Sequence, residues 1–231
     1  MAITIFDLDH TLLNSDKLRN NLAEILGLSV EEYSKHYEEN FTNNNLNYSF
    51  KKHLEILRED IKYSNNPNLK VAEKVFQEKF SNMDYLLNDG AIDLINLEQE
   101  KKNKVILLTF GNLEWQRDKI DRLYLIKEAF GPDNIHYTDK KKGEYLKKIY
   151  PQAEKFVIYN DNIKETIDIV NALGREKCTV YIIKSKHSTE EKYIKLAEEY
   201  SFELFNNLEE IKKVNSESNS EIDLKEKFGN R

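Results

Sequence analysis

The sequence predicts an α/β fold whose parallel sheet is interrupted, directly after its first strand, by an all-helical insertion. Two patterns predict this fold. Apolar runs of strand length alternate with amphipathic helical segments from about residue 91 to about residue 205, which is typical of a parallel sheet connected by helices. Between the first and second apolar runs, about 100 residues carry helical patterns only.

Six apolar runs are predicted to be strands, and most of them are almost continuously apolar, as expected where helices cover both faces of a parallel sheet. The runs are Ile3–Phe6, Val105–Leu108, Ile135–Tyr137, Phe156–Tyr159, Thr179–Ile183 and Phe202–Phe205. Helices are predicted between the later runs, at residues 91–101, 113–130, 143–150, 164–173 and 189–200. A capping box of Ser188 and Glu191 is expected to open the last of these helices.

The long interval after the first strand is predicted to form a separate helical domain. Apolar stripes at helical spacing recur through it. Gly27 is expected to end the first of these helices, and Ser29 and Glu32 form a capping box that opens the second. The predicted organisation is a core of residues 1–14 and 88–213, a helical domain of residues 15–87 and a flexible polar tail of residues 214–231.

Composition and charge argue against several classes of function. The 231-residue chain has a formal net charge of -6, which does not favour a nucleic-acid partner. Its apolar runs are too short to span a bilayer, and no signal-peptide pattern opens the chain. The single cysteine, Cys178, forms no internal disulfide and suits a reducing compartment. We therefore expect a cytoplasmic protein without a membrane or nucleic-acid partner; the sequence does not indicate an oligomeric state.

Asp7 and Asp9 follow the first apolar run, in the segment FDLDHTLL. Residues i and i+2 of an extended strand lie on one face, about 7 Å apart. Two carboxylates at that distance repel by about 2.4 kcal/mol at an effective dielectric near 20. A divalent cation or a shared proton removes this repulsion, and ligands of open α/β sheets bind beyond the carboxyl ends of the strands. The pair therefore indicates a metal site or a proton-sharing site, against the alternative of ordinary acids at a strand end.

The segment FDLDHTLL resembles the D-x-D-x-T signature of the haloacid dehalogenase superfamily, a large group of aspartate-nucleophile phosphatases and phosphotransferases. Three further motifs follow in the order that this resemblance implies, in the segments VILLTFGN, YTDKKKGEYLKKI and FVIYNDNIKET. The resemblance covers the first strand and about residues 87–183, and the helical insertion lies where that family carries a type 1 cap. It implies a Rossmann-like core with a helical type 1 cap.

The second motif contains Thr109, Gly111 and Asn112, where a predicted strand ends and a helix begins. A hydroxyl and free backbone N–H groups at a helix N-terminus form a site suited to an anion. The resemblance implies that Thr109 holds a phosphoryl oxygen, with the Gly111 and Asn112 amides beside it. Phe110 is bulkier than the residue usual at its position in the family.

The third motif offers three successive lysines, Lys140, Lys141 and Lys142. The resemblance implies that one of them neutralises the charge of the nucleophile and the phosphate. Lys142, which directly precedes the predicted helix, best matches the family's spacing, and Lys141 is the second choice.

The fourth motif carries Asp161 after a buried strand and Glu165 four residues later. Asp and Glu at this spacing can meet on one helical face, and beside Asp7 they would complete an acidic metal site. This chain has Asn160 where the family often has glycine. Asp161 is the safer ligand of the two, because Glu165 could also be an exposed helix residue.

The resemblance implies a mechanism that depends on Mg²⁺. Asp7 attacks phosphorus and forms an aspartyl-phosphate, and Asp9 acts as acid and then as base. The expected Mg²⁺ ligands are Asp7, the main-chain carbonyl of Asp9, Asp161 and Glu165. A small phosphorylated metabolite is the expected substrate, because a closing cap makes a small enclosed site.

Three alternatives remain open at this point. A phosphomutase or phosphotransferase would use the same catalytic residues and differ in the acceptor of the phosphoryl group. A phospho-accepting receiver domain also uses Asp, a metal, Thr and Lys, but it lacks both the D-x-D-x-T context and a helical insertion of this size. A non-enzymatic binding protein on this scaffold is the third alternative. The presence of all five expected site residues argues against it, namely Asp7, Asp9, Thr109, Lys142 and Asp161.

Overall fold

The computed structural model describes residues 2–185 and 187–215. Its centre is a six-stranded sheet in the order β3-β2-β1-β4-β5-β6, in which all paired strands are parallel. This confirms the predicted fold class and all six predicted strands. The strands are β1 Ala2–Phe6, β2 Lys104–Phe110, β3 Ile135–Thr138, β4 Lys155–Asn160, β5 Cys178–Ile183 and β6 Glu203–Phe205.

Helices fill the interval between β1 and β2 and connect the later strands. They are α1 Ser15–Leu26, α2 Val30–Tyr37, α3 Phe50–Glu59, α4 Asn68–Lys79, α5 Ala91–Glu100, α6 Leu113–Asp121, α7 Tyr124–Phe130, α8 Lys142–Ile149, α9 Ile163–Leu173, α10 Glu191–Tyr200 and α11, residues 208–215. A π-helical turn, Glu38–Thr42, follows α2, and short 3₁₀ segments span Asp84–Leu86, Pro132–Asn134 and Arg175–Lys177.

Two local predictions of helix boundaries were correct, and one was wrong. Gly27 ends α1 in the left-handed conformation, and Ser29 and Glu32 form the predicted capping box of α2. The capping box predicted at Ser188 does not form. The Ser188 hydroxyl instead accepts a hydrogen bond from the backbone N–H of Ser185 at 2.8 Å, and α10 begins later, at Glu191. The side chain of Ser188 therefore stabilises the preceding loop rather than the helix.

The single helix predicted over residues 113–130 is divided into α6 and α7. The break lies at Arg122 and Leu123. The carbonyl of Arg122 accepts a hydrogen bond from the N–H of Met83 at 2.7 Å, and its guanidinium donates to the carbonyl of Phe80 at 2.9 Å. Because these bonds join the chain to the segment after α4, a long-range contact ends the helix where sequence periodicity would continue it.

The predicted tail, residues 214–231, lies mostly outside the described residues. Its first two residues belong to α11, and the side chain of Asn215 is buried, donating to the Tyr159 hydroxyl at 3.1 Å. Across the described ranges, none of the helices has the length and apolar character needed to cross a membrane.

The helices α1–α4 form an insertion between two paired linkers. We call residues 15–87 the helical insertion. The linkers run side by side: the N–H of Asn14 donates to the carbonyl of Leu86, and the N–H of Asn88 donates to that of Leu12, both at 2.8 Å. One apolar cluster continues from the insertion onto one face of the sheet, and a second cluster fills the opposite face. The insertion is thus fixed to the core at its two ends and by shared packing.

The strand order determines where a ligand can bind. β1 lies in the middle of the sheet, between β2 and β4. The chain leaves these strands on different sides, so a crevice opens beyond their carboxyl ends, the usual ligand position in open α/β sheets. Asp7 follows β1 directly, and its N–H donates to the carbonyl of Tyr159 in β4 at 2.9 Å. Its carboxylate therefore stands at this crevice.

The helical insertion has an aromatic core built around two buried histidines. His36 and His53 are stacked with ring centroids 4.9 Å apart, and Nδ1 of His36 lies 2.8 Å from Nε2 of His53. Nδ1 of His53 lies 3.3 Å from the Tyr48 hydroxyl. Burial lowers the pKa of His36 and lowers that of His53 to about 3, with the neighbouring histidine acting in the same direction for His53. The insertion therefore packs with both rings neutral.

We expect His36 and His53 to reduce the stability of the wild type, relative to a variant that lacks both, as the pH drops below 6.5. The native state keeps the His53 ring neutral down to about pH 3, whereas the unfolded chain binds a proton near pH 6.5. The unfolded state therefore gains protons in this window, and at pH 5 His53 alone removes about 2 kcal/mol of unfolding free energy. Urea unfolding between pH 8 and pH 5 measures the effect.

A double variant, His36→Gln with His53→Gln, serves as the control for this titration. Its stability at pH 8 sets its own baseline, and only the slope between pH 8 and pH 5 is compared with that of the wild type. A slope as steep as the wild-type slope would show that other groups cause the acid sensitivity.

Candidate active site

A cavity of about 300 Å³ lies at the carboxyl end of the sheet, between the core and the helical insertion. Seven of the residues predicted from the sequence to form a site line it: Asp7, Asp9, Gly111, Asn112, Lys142, Asp161 and Glu165. They come from the ends of β1, β2 and β4 and from the first turns of α8 and α9. The fold thus brings together residues that are up to about 160 positions apart in the sequence.

Asp7 and Lys142 form a buried ion pair in this cavity. Nζ of Lys142 lies 2.6 Å from Oδ1 of Asp7 and 3.1 Å from Oε1 of Glu165, and the lysine side chain is 2% exposed. Burial would lower the pKa of Lys142, but the charges of Asp7 and Glu165 hold it above its ordinary value. Burial raises the pKa of Asp7 to about 6, although the charge of Lys142 opposes this rise. The lysine therefore stays charged and compensates both carboxylates.

Close helix packing fixes the position of Lys142. The next residue, Gly143, lies in the first turn of α8, and a Cβ added there would stand 2.7 Å from Cβ of Ala172 and 3.0 Å from the carbonyl oxygen of Asp168, both in α9. Only glycine allows this approach. Since Glu165 also belongs to α9, the same contact brings Glu165 and Lys142 together.

Asn160 shapes the turn that carries Asp161. Its Oδ1 accepts hydrogen bonds from the N–H groups of Asp161 and Asn162, at 2.8 and 3.1 Å. Asn162 then caps α9 by accepting from the N–H of Glu165. The asparagine that replaces the family's usual glycine thus holds the turn through its own side chain.

Asp161 is buried and carries a raised pKa. Its Oδ2 accepts a hydrogen bond from the Ser185 hydroxyl at 2.7 Å. Burial and the nearby charge of Asp7 raise the pKa of Asp161 to about 8, against the effect of the Ser185 bond. Two neighbouring carboxyl groups that both have a raised pKa are stabilised by a cation or a proton bound between them.

Asp9 points toward α6, and three donors hold it there. Nζ of Lys119 lies 2.6 Å from both carboxylate oxygens, Gln116 donates to Oδ2 at 3.2 Å, and the Ser15 hydroxyl donates to Oδ1 at 3.1 Å. Burial would raise the pKa of Asp9, but the charge of Lys119 and the hydrogen bonds from Lys119 and Gln116 lower it to about 2. The side chain is therefore ionised at neutral pH.

Thr109 and Gly111 differ from their predicted phosphate-binding roles. The Thr109 side chain is buried behind the cavity wall, and its hydroxyl donates to Oε1 of Gln116 at 2.9 Å. The N–H of Gly111 donates to the carbonyl of Thr138 in β3 at 3.1 Å. Both donors are used inside the protein. Asn112 caps α6 by accepting from the N–H of Trp115, so its side-chain oxygen is also engaged.

The three candidate lysines occupy different positions. Lys140 is exposed, and Lys141 is 65% exposed with its Nζ 3.4 Å from Asp168. Lys142 is the lysine of this trio that contacts Asp7.

Sequence reasoning missed Ser15, Gln116 and Lys119 as parts of the site. Lys119 has a 2% exposed side chain, although its position in a helix of mixed charge is typical of a surface lysine. The available signal was the spacing of Gln116 and Lys119, which are three residues apart and therefore share a helix face. Ser15 is the first residue of α1 and so joins the helical insertion to Asp9.

The acidic residues fit a magnesium ion with few protein ligands. Among the described residues, no group of three or more His, Cys, Asp or Glu side chains converges on one metal position. The side chain of Asp9 is turned to Lys119 and that of Glu165 to Lys142; the predicted set takes from Asp9 its main-chain carbonyl, so it remains a prediction. Mg²⁺ often binds one or two carboxylates and keeps its waters. Asp7 and Asp161, each with a raised pKa, match that donor set.

The chain has counterparts among solved structures. One, described as a haloacid dehalogenase-like hydrolase of Burkholderia xenovorans, has a TM-score of 0.71 and 15% identity, with 94% of this chain and 97% of that chain covered. One described as a β-phosphoglucomutase of Thermotoga maritima has a TM-score of 0.61 and 21% identity, covering 94% and 99%. A HAD family hydrolase of Deinococcus radiodurans with bound phosphate and sodium has a TM-score of 0.56 and 13% identity, covering 94% and 96%.

These similarities extend over the helical insertion as well as the sheet, because each covers nearly the whole of both chains. No protein-family model and no curated protein matches the chain. The similarity is therefore one of structure, with sequence identity too low to transfer an activity. The chain has the fold of the haloacid dehalogenase superfamily.

Proposed function

We propose that this protein hydrolyses small phosphomonoesters through a phosphorylated Asp7. The observation that carries the proposal is the buried Asp7–Lys142 pair, with Asp161 and Glu165 beside it, on the wall of a cavity large enough for a small metabolite. A carboxylate nucleophile, a fixed cation and acidic groups suited to a divalent ion are the parts that phosphoryl transfer needs.

In the first step, a carboxylate oxygen of Asp7 forms a bond to phosphorus while the bond between phosphorus and the leaving-group oxygen breaks. Lys142 donates to Oδ1, which leaves Oδ2 as the attacking oxygen. The same lysine balances negative charge on the transferring group. Mg²⁺, when bound at Asp7 and Asp161, would supply further charge neutralisation and orient the phosphate.

Asp9 is the proposed acid and base. In the first step it gives a proton to the leaving oxygen, and in the second it takes a proton from the water that attacks the phosphorylated Asp7. Since Asp9 is ionised and bound to Lys119 here, the observed arrangement suits the second step. For the first step, Asp9 must take up a proton and leave Lys119.

The bound phosphate and sodium of the Deinococcus radiodurans hydrolase support the proposal, because that protein shares this fold and binds the product anion together with a cation. The likeness to the Thermotoga maritima protein described as a β-phosphoglucomutase favours a second candidate, transfer of the phosphoryl group within a sugar phosphate. Release of inorganic phosphate distinguishes hydrolysis from such a transfer.

We expect Asp7→Asn to lower the turnover of p-nitrophenyl phosphate in the presence of Mg²⁺ at least about a thousandfold, because the amide is a poor nucleophile. Released p-nitrophenol measures this loss. The control is Asp133→Asn, which neutralises an exposed aspartate of the core. We also expect EDTA to remove the activity and added Mg²⁺ to restore it. Metal-dependent turnover that survives Asp7→Asn would refute the role of Asp7.

We expect Lys119→Met to raise the pH at which kcat declines on the acid side. Burial is the largest influence on Asp9, so without the lysine that offsets it the pKa of Asp9 rises from about 2 to above the range of an ordinary carboxyl group. Asp9 is then protonated at a higher pH and can no longer accept a proton from water. The pH profile of kcat between pH 4 and pH 8 measures the shift, with Lys35→Gln on the exposed face of the insertion as the control. An unshifted acid limb would contradict the assigned role of the pair.

A further inference from the structure

The half of the cavity formed by the helical insertion differs in chemistry from the half that carries Asp7. Its walls are mainly apolar and aromatic and contain one arginine. The residues used below are Arg19, Tyr33, Tyr37 and Tyr48 of the insertion and Trp115 in α6 of the core. In the proposed reaction this half faces the leaving group, because the transferred phosphate lies at Asp7.

The aromatic residues form a continuous wall from the insertion to the core. Ring centroids of Tyr33 and Tyr37 are 6.3 Å apart, those of Tyr37 and Tyr48 are 5.2 Å apart, and those of Tyr48 and Trp115 are 5.6 Å apart. Such a wall packs against a compact ligand, and its hydroxyl groups can donate hydrogen bonds.

Three lysine or arginine side chains line the cavity among the described residues, and two of them are bound to carboxylates close to the sheet. Lys142 contacts Asp7 and Glu165, and Lys119 contacts both oxygens of Asp9. These two lysines are committed to the catalytic half, where they compensate charges that the protein itself supplies.

Arg19 is different because its partners are weak. Among the described residues, the carboxylate within ion-pair distance is that of Asp16, at 3.7 Å and 69% exposed. An exposed pair of this kind contributes little. The guanidinium lies 5.3 Å from the centre of the Tyr37 ring, and the arginine side chain is 25% exposed. A guanidinium presents five N–H donors in a planar fork, a geometry that suits an anionic ligand.

We infer that Arg19 binds a second anionic group on the leaving-group side of the substrate. The substrate class is then a small phosphomonoester whose alcohol portion carries a carboxylate or a second phosphate, with its carbon skeleton against the tyrosine wall. The cavity volume of about 300 Å³ favours a short skeleton. This inference rests on the proposed phosphatase function for its orientation, while the anion-binding role of Arg19 is tested separately from catalysis.

The test compares matched phosphomonoesters that differ in the second anionic group. The carboxylate arm pairs 3-phosphoglycerate with glycerol 3-phosphate, and the phosphate arm pairs fructose 1,6-bisphosphate with fructose 6-phosphate. The readout is the ratio of kcat/KM within each pair. In one of the two pairs, we expect the wild type to prefer the compound with the second anionic group by about tenfold or more, as a charge-assisted hydrogen bond would give. The arm that shows the preference identifies the anion.

Three variants assign the preference to Arg19. Arg19→Gln should lower the ratio about tenfold, to near one. Arg19→Lys keeps the charge but loses the planar fork, so it should retain an intermediate ratio. Lys35→Gln removes a positive charge from the exposed face of the insertion and should leave the ratio unchanged. Thermal unfolding of each variant verifies that the insertion is folded. If Arg19→Gln does not fold, the kcat/KM ratio of Arg19→Lys decides the test.

A binding measurement separates failure of this inference from failure of the proposed function. Isothermal titration of 3-phosphoglycerate, glycerol 3-phosphate and the two fructose phosphates into wild type and Arg19→Gln requires no turnover. The inference is supported if the wild type binds a compound with a second anionic group more tightly than its matched partner and Arg19→Gln abolishes this preference, even if the protein hydrolyses none of these esters. Ratios near one for both pairs in the wild type, or a preference unchanged in Arg19→Gln, overturn it, and turnover of p-nitrophenyl phosphate would leave the proposed hydrolysis intact.

Discussion

The structure depends on the compensation of buried negative charge at the carboxyl end of the sheet. Asp7, Asp9 and Asp161 stand at or beside strand ends, where burial alone raises the pKa of each carboxyl group. Buried charges need partners, since one left unpaired strongly destabilises a fold. Lys142 and Lys119 supply two of these partners. Asp161 has a serine hydroxyl and no lysine among its described hydrogen-bond partners, and it is the carboxyl group whose pKa rises furthest in this trio. Asp161 therefore lacks a cationic partner, and a divalent cation bound beside Asp7 and Asp161 would stabilise both carboxyl groups in the ionised form.

The two lysines connect this charge balance to different parts of the fold. Lys142 is held by the close packing of α8 on α9, which depends on the missing side chain of Gly143. Lys119 belongs to α6, and the Ser15 hydroxyl, on the first residue of the helical insertion, binds the same carboxylate. Ser15 also accepts a hydrogen bond from the backbone N–H of His10, which has a positive φ of 58°. Ser15 thus joins the insertion to Asp9, whereas the Asp7–Lys142 pair lies within the core. In the proposed mechanism Asp9 leaves Lys119 before it acts as an acid, and Ser15 is a residue of the insertion that binds the same carboxylate.

Much of the fold and the part of the site at the strand ends were predictable because their signals are local. Each strand is an apolar run, and Asp7 and Asp161 directly follow such runs, so the parallel sheet brings them to one edge. The unpredicted features depend on long-range contacts. The break between α6 and α7 exists because Arg122 bonds to the segment after α4. Thr109 turns away from the cavity because Gln116 accepts its hydroxyl. Lys119 has the sequence context of a surface lysine, and only the packing of α6 beneath the insertion buries it beside Asp9.

The same distinction applies to the two halves of the cavity. The catalytic half is built from short segments at strand ends, so a given chemistry leaves a recognisable pattern in the sequence. The insertion half is built from helix faces, where tyrosines and an arginine at helical spacing look like ordinary core and surface residues. Its chemistry becomes visible only when α1, α2 and the Tyr48 segment converge on Trp115. Binding energy from that half does not touch the transferred phosphate, yet it can hold the phosphorus atom in line with Asp7 and so contribute to rate as well as to affinity. In the proposed reaction, a substrate that lacked the group recognised there would therefore lose turnover and not only binding.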